Sequence, residues 1–235
     1  MWLAVLDDAE ASVRYEAAVA LSRLASAKPL RALVGRLPER CLAALRDMAL
    51  LGKRAEDRKI AVGRLFQVAA IEKDSPSDVI PSCIRTVSTV ACEDPDYITR
   101  DFASLMLADL AVVLRRRPVA SAWCLHLLAA IALGSDRPED RRLAASRLHD
   151  VARRLGPEHS DRVAGCVSVV AEAAFEDPDL EVREHAAALL SQAPAPRVGP
   201  ALATRPCLEA KRSFDGWPCG ARAGPAQGRG WCVCE

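Results

Sequence analysis

Aromatic rings make up only 4% of the 235 residues, which leaves packing to small and straight side chains. An excess of one charge is also missing. The net charge of +1 makes no electrostatic case for nucleic acid or an acidic membrane. No apolar run approaches the roughly 18–20 residues that a membrane span needs. The opening stretch Trp2–Leu6 meets Asp7 and Asp8 too soon to form a secretory leader. Long alternating β-branched runs are absent, so strands are not expected. Glycine-rich phosphate loops, nucleophile elbows and His-Glu-x-x-His zinc motifs are absent too. These gaps point to an all-α protein inside the cell, cytoplasmic rather than nuclear, with no cofactor and no evident small-molecule substrate.

What the chain does have is a period. Arg14, Arg58, Arg100, Arg141 and Arg183 recur at intervals of 44, 42, 41 and 42 residues. Taking each arginine as position zero, +3 is always alanine (Ala17, Ala61, Ala103, Ala144, Ala186). Position +7 is always leucine (Leu21, Leu65, Leu107, Leu148, Leu190), and +10 reads Leu24, Val68, Leu110, Val151, Ala193. Steps of 3, 4 and 3 draw one apolar stripe down a helix, here termed the B helix. A repeat of this length in a helical chain marks a stacked two-helix unit. The expected fold is therefore an α-solenoid of about five stacked antiparallel helix pairs. Shorter, more apolar A helices are expected near Glu39–Leu51, Val79–Cys92, Val119–Leu133 and Arg162–Phe175, separated from the preceding B helices by proline-bearing links. Only Trp2–Leu6 stand where the first A helix would be, so the first repeat is expected to lack most of it.

Cys41, Cys83, Cys124 and Cys166 each lie 17 residues before an arginine. Equivalent positions of successive repeats share one buried face, where cysteine acts as a small hydrophobe. Helix-packing distances of about 8–10 Å are too long for a disulfide.

The B-helix starts carry acidic turns such as Asp94-Pro95-Asp96 and Asp177-Pro178-Asp179, in which aspartate can cap and proline costs no hydrogen bond. In full, Asp8 through Val13-Arg14 to Leu21 and Asp177 through Val182-Arg183 to Leu190 closely resemble the HEAT-repeat, armadillo-like family. The resemblance covers about residues 1–193. Departures are Thr99, Asp57 and Asp140 at the valine position and Gly52 at the acidic one. In that family the acidic and arginine positions pair between neighbouring turns. Carried over, the resemblance implies a structural ladder of Asp8, Asp94 and Asp177 with Arg14, Arg100 and Arg183. Arg58 and Arg141 would use Asp57 or Asp136 instead. Residues 194–235 turn rich in proline, glycine and arginine with no helical period, and are expected to form a disordered tail carrying about +3 against about −2 for the repeats.

Enzymes of HEAT-like build offer two comparisons. Di-iron hydroxylases repeat His-Glu pairs on successive helices, and no His-Glu dipeptide occurs here. The tail cysteines Cys207, Cys219, Cys232 and Cys234 are spaced poorly for zinc. DNA glycosylases need a basic, aromatic groove. The outward B-helix positions +1 (Tyr15, Lys59, Asp101, Arg142, Glu184) and +9 (Arg23, Gln67, Asp109, Asp150, Gln192) are of mixed sign, which argues against phosphate tracking. Position +5 (Val19, Gly63, Leu105, Ser146, Ala188) is small or apolar. Arg115-Arg116-Arg117 closes a B helix, where cations favour the helix dipole. The expectation is a non-enzymatic scaffold or adaptor in a larger assembly, holding a protein partner along the +1 row. The alternatives are a HEAT-like enzyme or nucleic-acid binder, or a truncated product of a larger repeat protein.

Overall fold

The computed structural model describes residues 8–27, 37–74 and 78–192. Trp2–Leu6, where the first A helix was expected to be mostly missing, the expected tail 194–235 with its cysteines, and Ala193 lie outside them. Nine α-helices occur among the described residues, and no strand. In chain order they are α1 (Ala11–Ser26), α2 (Leu37–Leu51), α3 (Ala55–Ile71), α4 (Val79–Glu93), α5 (Tyr97–Val113), α6 (Pro118–Gly134), α7 (Pro138–Leu155), α8 (Ser160–Glu176) and α9 (Leu180–Ser191). The odd-numbered helices are the B helices and the even-numbered ones the A helices.

The phase is strict. Every B helix begins three residues before its arginine, and every A helix ends seven before it, leaving a three-residue turn between them. The turns are built from local chemistry. Asp96 accepts the Thr99 N–H at 2.8 Å and Asp179 accepts the Val182 N–H at 3.2 Å, satisfying donors that a helix start leaves free. Pro118 and Pro138 open α6 and α7, where a missing N–H costs nothing. Gly156 ends α7 at φ +80, a conformation in which a Cβ would crowd the Glu158 carboxylate.

From α2 to α9 each helix packs on its hairpin partner, and helices from α1 to α7 pack on their counterparts in the next repeat, so the described stack runs in sequence order. At the junctions α3–α5 and α5–α7 the B helices pack more intimately than the A helices beside them, α2–α4 and α4–α6, making the B layer the tighter side there. The reason lies in the side chains. Position +3 is alanine throughout, fully buried in α3, α5, α7 and α9, and +4 and +11 are also small or short in most repeats. Small residues let helix axes approach. The leucines at +7 fill the gap behind them, and the buried stripe is broader than steps of 3, 4 and 3 suggest because +4 and +11 join it. The four A-helix cysteines are buried in this same continuous core and unpaired.

Leu107, central and fully buried, and Leu190, half-buried in the last helix, provide a test of how burial varies along the stack. Leu107→Ala is expected to cost about 3 kcal/mol and Leu190→Ala about 1 kcal/mol, read from urea midpoints at constant slope.

Candidate functional site: the arginine ladder and the B-helix face

Position zero lies in the first turns of each B helix, where its guanidinium reaches both backward and forward. Backward, Nη1 donates to the carbonyl six residues earlier in every repeat. Arg14 reaches Asp8 O at 2.7 Å, Arg58 reaches Gly52 O at 2.8 Å, and Arg100 reaches Asp94 O at 2.9 Å. Arg141 reaches Ser135 O at 2.8 Å and Arg183 reaches Asp177 O at 2.6 Å. Forward, Nε donates to a carboxylate of the next repeat. Arg14 meets Asp57 at 2.9 Å, Arg58 meets Asp94 at 2.6 Å, Arg100 meets Asp140 at 2.9 Å and Arg141 meets Asp177 at 2.8 Å. All eight of these partners are buried.

These pairings correct the assignment drawn from the resemblance in three places. The Asp8 carboxylate meets no arginine among the described residues; its Oδ1 accepts the Glu10 N–H, and its carbonyl accepts from Arg14. Arg58 takes Asp94 rather than Asp57, which belongs to Arg14. Arg141 takes Asp177, and exposed Asp136 plays no part in the pairing, while Asp140, not expected as a member, holds Arg100. The physical reason is direction. Nη1 is already committed within its own repeat, so Nε and Nη2 point to the following one.

A compensating pattern in the sequence marks which carboxylate is used. Position −6 reads Asp8, Gly52, Asp94, Ser135, Asp177, and position −1 reads Val13, Asp57, Thr99, Asp140, Val182. Where −6 lacks a carboxylate, −1 supplies one.

Charge states follow from the contacts. Hydrogen bonds to Asp94 and Asp177 raise Arg58 and Arg141 above their already high ordinary values, against the opposing effect of burial. Burial alone would raise the Asp177 carboxyl. Hydrogen bonds from Arg141 and the Asp179 N–H, with the Arg141 and Arg183 charges, hold it below the usual carboxylate range instead.

On the B-helix face, the +1 row, expected to meet a partner, is only partly open. Tyr15 and Glu184 are exposed, whereas Lys59, Asp101 and Arg142 are half-buried. Lys59 pairs with Glu56 at 3.1 Å, Asp101 with Arg147 at 2.8 Å and Arg142 with Glu181 at 3.7 Å. Arg64 stacks over the Tyr15 ring at 4.9 Å. Arg64 and Arg147 occupy the same +6 position and both lean onto +1 of the preceding repeat, forming a second, shallower ladder. Arg154 adds a pair with Asp109 at 2.6 Å. Between these ties the +5 row stays open. Beside it, Val19, Ser22, Arg23, Arg64, Gln67 and Ile71 line a shallow depression of about 250 Å³ between α1 and α3.

Among the described residues, one serine–histidine contact and four buried thiols are the reactive groups to weigh. Ser146 Oγ lies 2.7 Å from His185 Nε2, but Oγ also lies within hydrogen-bonding range of the Arg142 carbonyl and no carboxylate orients the ring. Burial, then the Arg142 charge, lowers the His185 pKa. The pair acts as a bridge between α7 and α9. Burial pushes the Cys83 and Cys166 thiols up to about 12 and raises Cys41 and Cys124 as well, so all four are protonated and poor nucleophiles at neutral pH. Among the described residues no three His, Cys, Asp or Glu side chains converge as metal ligands, and no helix is long and apolar enough to cross a membrane.

Stacked helical hairpins joined by a buried arginine–aspartate ladder define an all-α solenoid. No protein-family profile matches the chain, and no curated protein matches it significantly. The solved structures similar to it include several engineered proteins. A designed armadillo repeat protein in complex with a (KR)4 peptide is 18% identical, with a TM-score of 0.43, over 81% of this chain and 79% of that one. A second engineered protein is 22% identical, with a TM-score of 0.42, over 81% and 76%. A computationally designed armadillo repeat protein for modular peptide recognition is 17% identical, with a TM-score of 0.42, over 82% and 81%. The fold assignment rests on the hairpins and the ladder themselves.

Two outcomes test the ladder. Asp140→Ala leaves Arg100 buried beside an empty place and is expected to cost about 3 kcal/mol, whereas Asp136→Ala changes stability by less than about 0.5 kcal/mol, both by chemical denaturation. For Asp177 the folded pKa is depressed, so its contribution is complete above the unfolded value of about 4 and is lost as pH falls through the folded value. Asp177→Asn is therefore expected to be less stable at neutral pH and to lose less stability than the wild type between about pH 5 and pH 2, by thermal melts across that range.

Proposed function

We propose that this protein is a non-enzymatic scaffold or adaptor that holds a protein partner along its B-helix face, inside the cell and as part of a larger assembly. The observation that carries this reading is the +5 row. Val19, Gly63, Leu105 and Ser146 are half-buried and Ala188 is exposed, a line of mostly small side chains crossing five helices. The charged groups on its flanks are largely tied to one another, which leaves shape and apolar contact as the means of recognition. An amphipathic helix or extended peptide fits such a strip, because it can lay small apolar side chains into a shallow groove. Unpaired buried thiols suit a reducing compartment.

Gly63 provides a test that separates blocking from unfolding. A Cβ there meets only the Phe102 ring at ordinary contact distance, so the position accepts a side chain. Replacing a mid-helix glycine removes a helix penalty of up to about 1 kcal/mol. Gly63→Arg is therefore expected to melt at the same or a slightly higher temperature while losing the partners captured by the wild-type chain in affinity purification with mass spectrometry. Equal capture by the two proteins would remove this face as the binding surface.

A further inference from the structure

Comparing the ends of the described stack with its middle separates the two flanks of a B helix. Position −1 is buried in α3, α5, α7 and α9, yet Val13 in α1 is 40% exposed, so this position faces the preceding repeat. Ala17 and Leu24 behave alike: both are half-buried in α1, where their described counterparts are fully buried. Position +4 shows the reverse. It is buried in α1, α3, α5 and α7, but Ala187 in α9 is exposed, and Leu190 is half-buried where the other four leucines are sealed. Those positions face the following repeat.

The ionic groups at the ends are complementary as well. Asp8 holds position −6, and its Oδ1 accepts the N–H two residues on at 2.8 Å, as Asp94 and Asp177 do. Its carboxylate is thus set in the ladder conformation, with no cation among the described residues to meet it. Arg183 makes the backward bond that every ladder arginine makes. Its Nε and Nη2 have no carboxylate among the described residues.

We propose that a second copy of this chain docks head to tail. Asp8 of one copy pairs with Arg183 of the next, and Val13, Ala17 and Leu24 close on Ala187 and Leu190. The occupant is set by continuity with the internal junctions, because one chain carries both halves of the interface that joins its own repeats. The contact is heterologous, so it extends into open chains rather than closing as a symmetric dimer. It uses the B layer alone. One helix flank and one ion pair give a small interface, with a dissociation constant on the order of 100 μM.

Sedimentation velocity of the full chain from about 10 μM to about 1 mM tests this proposal. The wild type is expected to shift progressively to larger species. Asp8→Arg and Arg183→Asp each bring like charges together at the junction and are expected to weaken self-association at least about tenfold. An equimolar mixture of the two variants restores opposite charges at both junctions and is expected to associate as the wild type does. Circular dichroism checks that both variants keep their helices. A wild type that stays monomeric would put residues 193–235 or a different protein on the α9 flank, and would overturn the proposal. So would single variants that associate undiminished, or a mixture that stays monomeric.

Discussion

A guanidinium buried at the foot of each of the first four B helices must be satisfied from two directions, and the order of the stack follows from how this is done. The backward bond fastens the turn of its own hairpin, and the forward bond fastens the next hairpin. One side chain therefore couples hairpin geometry to repeat spacing, and neither can relax alone. A buried ion pair contributes little net free energy compared with apolar packing, but removing one partner strands the other in a dry place. The ladder is best understood as a device for register. Sliding one hairpin along its neighbour by a helical turn would leave both charges unmet, while the alanine and leucine rows, which supply most of the burial, would tolerate such a shift far better.

Two carboxylate positions serve this one purpose. Position −6 directly follows the A helix and −1 lies in the first turn of the B helix, so both place negative charge at the same helix N-terminus, where the dipole favours it. The remaining residues follow from that choice. Val13, Thr99 and Val182 can occupy −1 because −6 carries the charge, and Gly52 and Ser135 can occupy −6 because only their carbonyls are needed there. One carboxylate per junction matches one arginine.

The period, the hairpin boundaries and the buried cysteines were legible in the sequence because each depends on residues that recur at fixed offsets within one repeat. The ladder partners were not, although all four lie in plain view. Pairing Arg14 with Asp57 spans 43 residues, and choosing it over nearby Asp8 requires knowing which flank of a B helix faces forward. The compensation between −6 and −1 was the available clue, and Asp57 and Asp140 read instead as departures from the pattern. The partial cover of the +1 row was hidden for a related reason. Its offset from the arginine says that it leaves the core, but not that +6 of the next helix reaches back to cover it.

That cover narrows what the B-helix face can recognise. Asp101, Arg142 and Asp109 look available in sequence but are spent on neighbouring helices. Freeing one for a partner would break an existing pair, so the new contact gains only the difference between two similar interactions. Charges of both signs held close together also cancel at a distance, which leaves little field to steer a charged ligand. On the proposed reading, binding along this face draws on the small-residue strip and on Tyr15, Glu184 and the depression beside Ile71. Under that proposal, discrimination among partners would follow side-chain size along the strip, where the row runs Val19, Gly63, Leu105, Ser146, Ala188: a constriction at Leu105 between a gap at Gly63 and smaller residues beyond.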